Sequence, residues 1–508
     1  MKNSAQLLYR ELRQLSKQQL WDEEVARFNL ASPRERQQRV AVVRAVGVAF
    51  AETGTTEEKA RVRAWLAGLL RDPEEKVRRY AMAALPKIGA GTHEESQLLA
   101  VLRTSDGGRE KKFLTRTLGI IGGEAALREG LLEGAEQKVK ASIARRENPS
   151  AVKVHSVLAN YQQVAVHLRG RRGLEQFVAD EVAEGKKFTV TAVRSGRVTV
   201  VPRAPFSLAD IYALRCFGTV GLILGRVEGT NQADPTDALA AIITAELSLH
   251  LLQTLTEGAI RYRLNFVGKG HQRAAVARLA GKVYALCPEM LNDGQSVSWT
   301  IDIYPEARGH VVELRPNMTP DPRFAYRRKD VPAASHPPLA ACLARLAGRV
   351  EHERIWDPFC GSGLELIECA LRGGVRKLYG TDHSAEAVVI AQDNFAAAGL
   401  ESVSAEFLRG DFREIAHSRE LGENKITLLI TNPPLGMRVP VKDLRLLLDE
   451  LFRVAVEVLQ PGGRLVLINP CAHLTPPRNL QLQHQQIVDM GGFDCRMEKY
   501  ILRGKAVL

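Results

Sequence analysis

The chain reads as a multidomain α and α/β protein, and three observations carry that reading. From Ala5 to about Gln137 apolar residues recur at helical spacing, with almost no strand-like alternation. From Gln163 to Val227 short alternating runs interleave with short helical ones. From Leu339 onward strand-like and helical runs alternate as in a doubly wound sheet. At 508 residues, and with roughly 100–200 residues per domain, each region is long enough to bury its own core.

Hydrophobic residues make up 45% of the chain and charged residues 25%, the balance of an ordinary globular protein. No stretch approaches the roughly 20 uninterrupted apolar residues of a membrane helix. The start, Met1 to Leu7, enters a polar amphipathic pattern without an apolar signal core. Seven cysteines are scattered without a C-x-x-C pair, which suggests neither a zinc site nor a disulfide framework. A cytoplasmic chain with no metal and no membrane partner is therefore expected. The net charge of +12 favours a polyanionic partner.

Within the helical region, residues 1–140, a helix ends at Leu69-Leu70-Arg71, Asp72-Pro73 turns the corner, and a second helix exposes basic residues. Leu85 to Gly89 has an echo in Leu118 to Gly122, 33 residues on. The unit resembles a HEAT repeat. Residues 138–155 are polar, charged and end near Pro149, which predicts a linker. In the next region, 155–230, a strand at Gln163–Leu168, a helix at Gly173–Glu184, a hairpin at Phe188–Val193 and Val198–Pro202, a helix at Leu208–Cys216 and a strand at Val220–Val227 give a split β-α-β, ferredoxin-like order. A helix at Thr236–Leu255 then opens a second α/β region, 231–318.

The C-terminal region, 330–508, carries the chemistry. A strand-like run ends in Asp357-Pro358-Phe359-Cys360-Gly361-Ser362-Gly363 and turns into a helix at Leu364. Glycines at 361 and 363 let the backbone approach a ligand, and the helix N-terminus favours an anionic group. The next strand-like run ends at Asp382, followed by His383 and 19 residues past Gly363, near the offset at which a carboxylate meets ribose hydroxyls. Asp411, after a third strand-like run, can accept from an adenine amine while Phe412 packs on the ring. A fourth run, Ile426–Thr431, ends in Asn432-Pro433-Pro434-Leu435. There an amide oxygen and the Pro433 carbonyl, held rigid by two prolines, can accept both hydrogens of a planar amine.

Between 261 and 282 lie Arg261, Arg263, Lys269, Arg273, Arg278 and Lys282, with no acidic residue among them. The loop Gly268 to Arg273, which includes His271, joins a strand to a helix, so its amides and cations can converge on a phosphate. This stretch and the unit before it resemble the THUMP domain and its N-terminal companion, an RNA-binding pair. The four features from Asp357 to Leu435 resemble the Rossmann-like domain of a class I methyltransferase that uses S-adenosylmethionine.

Together the chain is similar to THUMP-containing RNA methyltransferases over about residues 155–508. That resemblance implies methylation of the exocyclic N2 amine of guanine in structured RNA, most often tRNA. It departs from the pattern at Leu435, where an aromatic residue usually follows the second proline, and at Leu364, commonly threonine. The helical repeats are an addition, expected to contact protein or RNA. Four alternatives carry different marks. A 23S ribosomal RNA guanine methyltransferase would share every motif. A catalytically weak RNA-binding or assembly factor would explain Leu435. A nicotinamide enzyme would give Asn432-Pro433-Pro434 no role, and carbon methylation would need Cys471 as a thiolate.

Overall fold

The computed structural model describes residues 2–503, apart from 106, 130–134, 230–233, 269, 271, 296, 333, 420, 422–424, 437–441 and 472–473. The chain divides into two compact units, each made of two separate stretches: 1–153 with 224–312, and 154–223 with 313–508. Of the three crossings, one follows Lys153 and the other two fall inside the strands Thr219–Glu228 and Gly309–Pro316.

In the first unit the helices Ala41–Thr53, Glu75–Ala84, Gly108–Ile121 and Ala135–Glu147 pack in succession over one apolar core. Gly47 sets the closest approach, since a Cβ there would sit 2.8 Å from the Ala84 Cβ. Asp72 holds the expected corner: it accepts from the Glu74 N–H at 2.9 Å and from Arg36 Nε at 2.7 Å. The echo between Leu85–Gly89 and Leu118–Gly122 is compositional. The first ends in left-handed Gly89 (φ 76°) after a 3-10 turn, whereas Leu118 to Ile121 continue an α-helix.

The linker expected over 138–155 is instead mostly helix, from Ala135 to Glu147. Its buried face is made of Val139, Ala141, Ser142 and Ala144, too small to register as an apolar stripe among lysines and arginines. Ala141 and Ala144 pack on Leu291, Arg145 reaches Asp293 at 2.5 Å, and Tyr284 Oη donates to Glu136 at 3.1 Å. The helical region is thereby seated on the α/β part of its own unit. There the strand Arg261–Phe266 runs parallel to Leu291–Asn292 and to Trp299–Glu306. The single helix expected over 236–255 is broken into Thr236–Ile243 and Glu246–Leu255 by extended Ala245, and Ser248 Oγ satisfies the Ile242 carbonyl at 2.7 Å. No glycine or proline marks that break.

The second unit begins with an antiparallel sheet in the order Phe188–Arg194, Arg197–Pro202, Val166–Arg169, Thr219–Glu228. The helices Glu175–Glu184 and Leu208–Tyr212 fall between strands as expected from the split β-α-β order. Its larger sheet has seven strands: β1 Glu353–Asp357, β2 Val375–Asp382, β3 Ser404–Arg409, β4 Ile426–Thr431, β5 Leu459–Asn469, β6 Leu480–Asp489 and β7 Asp494–Leu502. Their order is 3-2-1-4-5-7-6, with β7 antiparallel to both neighbours. Order reverses between β1 and β4, so the crevice at their C-terminal ends is where such a sheet binds ligands. Five of the six residues of β4 are buried, as befits a parallel strand covered on both faces.

Helix α1, Leu364–Leu371, follows β1 and is anchored from the first part of the unit. Arg215 donates to both oxygens of buried Glu368 at 2.7 Å, and Tyr326 Oη donates to the same carboxylate at 2.6 Å. Removing one partner of a buried pair strands the other charge. Arg215→Ala should therefore lower unfolding stability by about 3–5 kcal/mol, and Tyr326→Phe by about 1–2 kcal/mol, as read from urea denaturation.

Candidate active site

Three strand ends converge on one crevice. At the end of β1, Asp357 is fully buried; one carboxylate oxygen accepts from the Phe359 N–H at 3.0 Å, and the other has no hydrogen-bond partner among the described residues. The Thr431 hydroxyl at the end of β4 favours the ionised form of Asp357 but is outweighed. Burial, reinforced by the charge of Glu365, pushes the Asp357 pKa well up. Glu365 in the first turn of α1 is pushed up too, chiefly by its own burial.

Gly361 and Gly363 are both left-handed, with φ 49° and 83°. A Cβ on Gly363 would come within 3.3 Å of Ala391, so this turn needs glycine for conformation and for space. Asp382 at the end of β2 accepts from the Gly361 N–H at 3.1 Å and from the Ser384 N–H at 2.9 Å. It is half-buried, while His383 is exposed and sits 3.8 Å from Asp411.

Asp411 accepts from Arg413 through both oxygens, each at 2.8 Å. Burial opposes its ionisation, but Arg413 wins and holds the carboxyl below its ordinary value. Phe412, expected to lie on a base, is buried in the core because it opens a helix whose first turn faces inward. It packs on Phe359 with ring centroids 5.0 Å apart, and Phe359 is the ring that keeps exposed surface.

At the end of β4, Asn432 Nδ2 donates to Ser335 Oγ at 2.8 Å. Its Oδ1 is buried with no hydrogen-bond partner among the described residues. Ser335 Oγ in turn donates to Glu365 on α1. Two hydrogen bonds thus tie the Asn-Pro-Pro element to the helix that leaves the glycine turn, on the same side of the sheet. Pro433 is buried, Pro434 and Leu435 are half-buried, and left-handed Gly436 (φ 77°) ends the turn.

Sequence reasoning missed Ser335, Glu365 and Asn394. Asn394 is fully buried on the helix Ala385–Ala397 and uses its whole amide. It accepts from the N–H groups of Arg328 (3.0 Å) and Lys329 (3.3 Å) and donates to the carbonyls of Lys329 and Ser362, both at 3.0 Å. That clamps the segment before the domain over the glycine turn. An asparagine inside a buried helix stripe was the available signal.

The basic stretch 261–282 does not present all its cations. Arg261 is buried and its guanidinium lies 3.5 Å from Asp293, which corrects its assignment as an RNA contact: a strand residue facing the core cannot meet a backbone phosphate. Arg263, Arg273 and Arg278 are exposed, with Arg278 3.6 Å from Asp234 and Lys282 2.7 Å from Asp237. Lys269 and His271 lie outside the described residues. Burial raises the Cys471 pKa, which disfavours the thiolate that carbon methylation requires.

Residues 325–484 match the profile of the UPF0020 family, described as an RMKL-like methyltransferase domain. The chain is similar to a tRNA (guanine(6)-N2)-methyltransferase of Thermus thermophilus, 32% identical over 161 residues, 31% of this chain and 46% of that protein. It is also similar to ribosomal RNA large subunit methyltransferase I of Salmonella arizonae, 30% identical over 160 residues, 29% of this chain and 38% of that protein. The chain spans half or less of the length of these relatives. The crystal structure of TrmN from Thermus thermophilus superposes with a TM-score of 0.54 at 23% identity, covering 67% of this chain and all of that one. That likeness carries the fold.

Because burial raises the Asp357 pKa, the protonated form favours the folded chain, and that contribution is lost as pH rises through the raised value. Asp357→Asn should accordingly lose less stability than the unsubstituted chain between about pH 5 and about pH 8, measured by urea denaturation at both.

Proposed function

We propose that the chain transfers a methyl group from S-adenosylmethionine to the exocyclic N2 amine of a guanine in structured RNA, tRNA first of all. One observation carries the reading: a buried amide oxygen, Asn432 Oδ1, stands without a partner among the described residues at the end of β4 while its own NH2 is already bonded. A buried acceptor left open is costly unless a ligand completes it, and an amine is the ligand that fits.

The residues present fit the methyl donor. The left-handed turn at Gly361 and Gly363 carries no side chain, and a cationic ligand would draw the burial-raised Asp357 pKa back down and pair with the oxygen that no described residue bonds. Asp382 would hold the ribose, and Phe359 would lie against the adenine. When bound, the donor supplies an electrophilic methyl group on sulfur. Asn432 Oδ1 and the Pro433 carbonyl accept the two N–H bonds of the target, which aims the nitrogen lone pair and offsets the positive charge that grows on it as the new N–C bond forms. The product ammonium is acidic and releases a proton to water, so no strong base is required.

The α/β part of the first unit serves as a THUMP-like RNA grip through Arg263 and Arg273, in a cytoplasmic protein. The HEAT-like helices add a second contact. Arg44, Arg79 and Lys87 surround a cleft of about 350 Å³ that also contains Tyr80 and Phe113, a combination of cations and rings suited to single-stranded RNA.

Labelled donor with total tRNA, followed by nuclease digestion and mass spectrometry, should yield N2-methylguanosine. Asn432→Ala should lower kcat roughly 100- to 1,000-fold; full activity in that variant would remove the mechanism. Leu435→Tyr restores a stacking ring worth roughly 1–3 kcal/mol, so kcat/KM should rise at least about fivefold.

A further inference from the structure

We infer that Ser335 and Glu365 form a polarity relay that fixes which end of the Asn432 amide faces the crevice. The inference rests on the proposed reaction and adds two positioning residues to it.

A carboxamide is nearly symmetric in shape but opposite in hydrogen-bonding character at its two ends. Turned one way, Asn432 offers an oxygen that accepts from a target amine. Turned the other way, it offers an NH2, and two donors then face each other. Nothing in the shape of a β-strand end selects between these orientations, so the selection must come from the group behind the amide.

That group is Ser335. Its hydroxyl has a single proton, and the proton is committed to Glu365 Oε1. Toward Asn432 the serine oxygen can therefore only accept, and it does, from Nδ2 at 2.8 Å. The reversed amide would set Oδ1 against Oγ with no proton between them. Ser335 is 9% exposed and Glu365 3%, and Asn432, itself half-buried, keeps its Oδ1 out of water. In such surroundings an acceptor-to-acceptor contact has no solvent to relieve it.

Glu365 does the selecting as long as its Oε1 carries no proton, whether as a carboxylate oxygen or as the carbonyl oxygen of the acid; a proton on Oε1 would be donated to the serine and would release the serine's own proton toward the amide. Its backbone belongs to the first turn of α1, directly after Gly363. The same helix start that shapes the glycine turn thus also sets the polarity of the amine site. Neither Ser335 nor Glu365 touches the reacting atoms; both act through Asn432.

Ser335→Ala should lower kcat about tenfold, with donor and RNA dissociation constants unchanged. Ser335→Thr, which keeps the hydroxyl, should restore most of the rate. In an Asn432→Ala background the Ser335→Ala change should cost nothing further, since the relay then has no amide to orient. Additive losses, or a Ser335→Ala kcat equal to that of the unsubstituted chain, would overturn the relay. A readout independent of activity is the side-chain amide of Asn432 in 15N-asparagine-labelled full chain, with its signal identified by its loss in Asn432→Ala. Its hydrogen exchange should accelerate at least tenfold in Ser335→Ala, and unchanged exchange would also overturn the relay. Absence of methyl transfer by the unsubstituted chain would count against the proposed reaction alone, because the exchange measurement still decides the relay.

Discussion

The reversal of strand order between β1 and β4 is the constraint on which the rest of the second unit depends. Parallel pairing aligns Trp356 with Leu429, so the C-terminal ends of two strands some seventy residues apart in sequence finish side by side. A turn that needs two left-handed glycines can then face a turn stiffened by two prolines. Neither would make a site alone. β4 is apolar before Thr431 except at Thr427, whose hydroxyl is spent on the Arg354 backbone of β1, so the groups free for chemistry begin only where the sheet ends.

Around that crevice three buried carboxyl groups are handled in three ways. Glu368 is neutralised by a guanidinium from the preceding stretch of the unit and bonded by a phenol from its own. Glu365 receives a hydroxyl. Asp357 receives one backbone N–H and leaves an oxygen open. The gradient runs from the structural end of helix α1 to its ligand-facing start, with each step leaving more acceptor capacity unused. Burying an acceptor unpaired destabilises a fold, and of the three only Asp357, beside the glycine turn, bears that cost.

Much of this was legible in the residue order, and the failures have physical causes. The run Ile426–Thr431 was read to its ends because a covered parallel strand is continuously apolar and a following Asn-Pro-Pro cannot extend it. The break at Ala245 was invisible because nothing there forbids helix; a serine supplying the lost bond made the alternative tolerable. The helix from Ala135 to Glu147 hid because alanine and serine bury a face without looking hydrophobic. Arg261 looked like one more cation in a basic run, and only the strand's facing shows that it points to the core. Ser335 and Asn432 meet across 97 residues, a distance at which composition and spacing are silent.

The split construction of the two units has a consequence for how the protein is made. Residues 154–223 leave the ribosome well before their partner stretch begins at 313, and the intervening segment belongs to the other unit. At roughly 5–20 residues per second, that interval of about 90 residues keeps an incomplete antiparallel sheet waiting some 5–20 s. During it the edge of the strand Thr219–Glu228, an outer strand of the four, must resist pairing with other nascent chains.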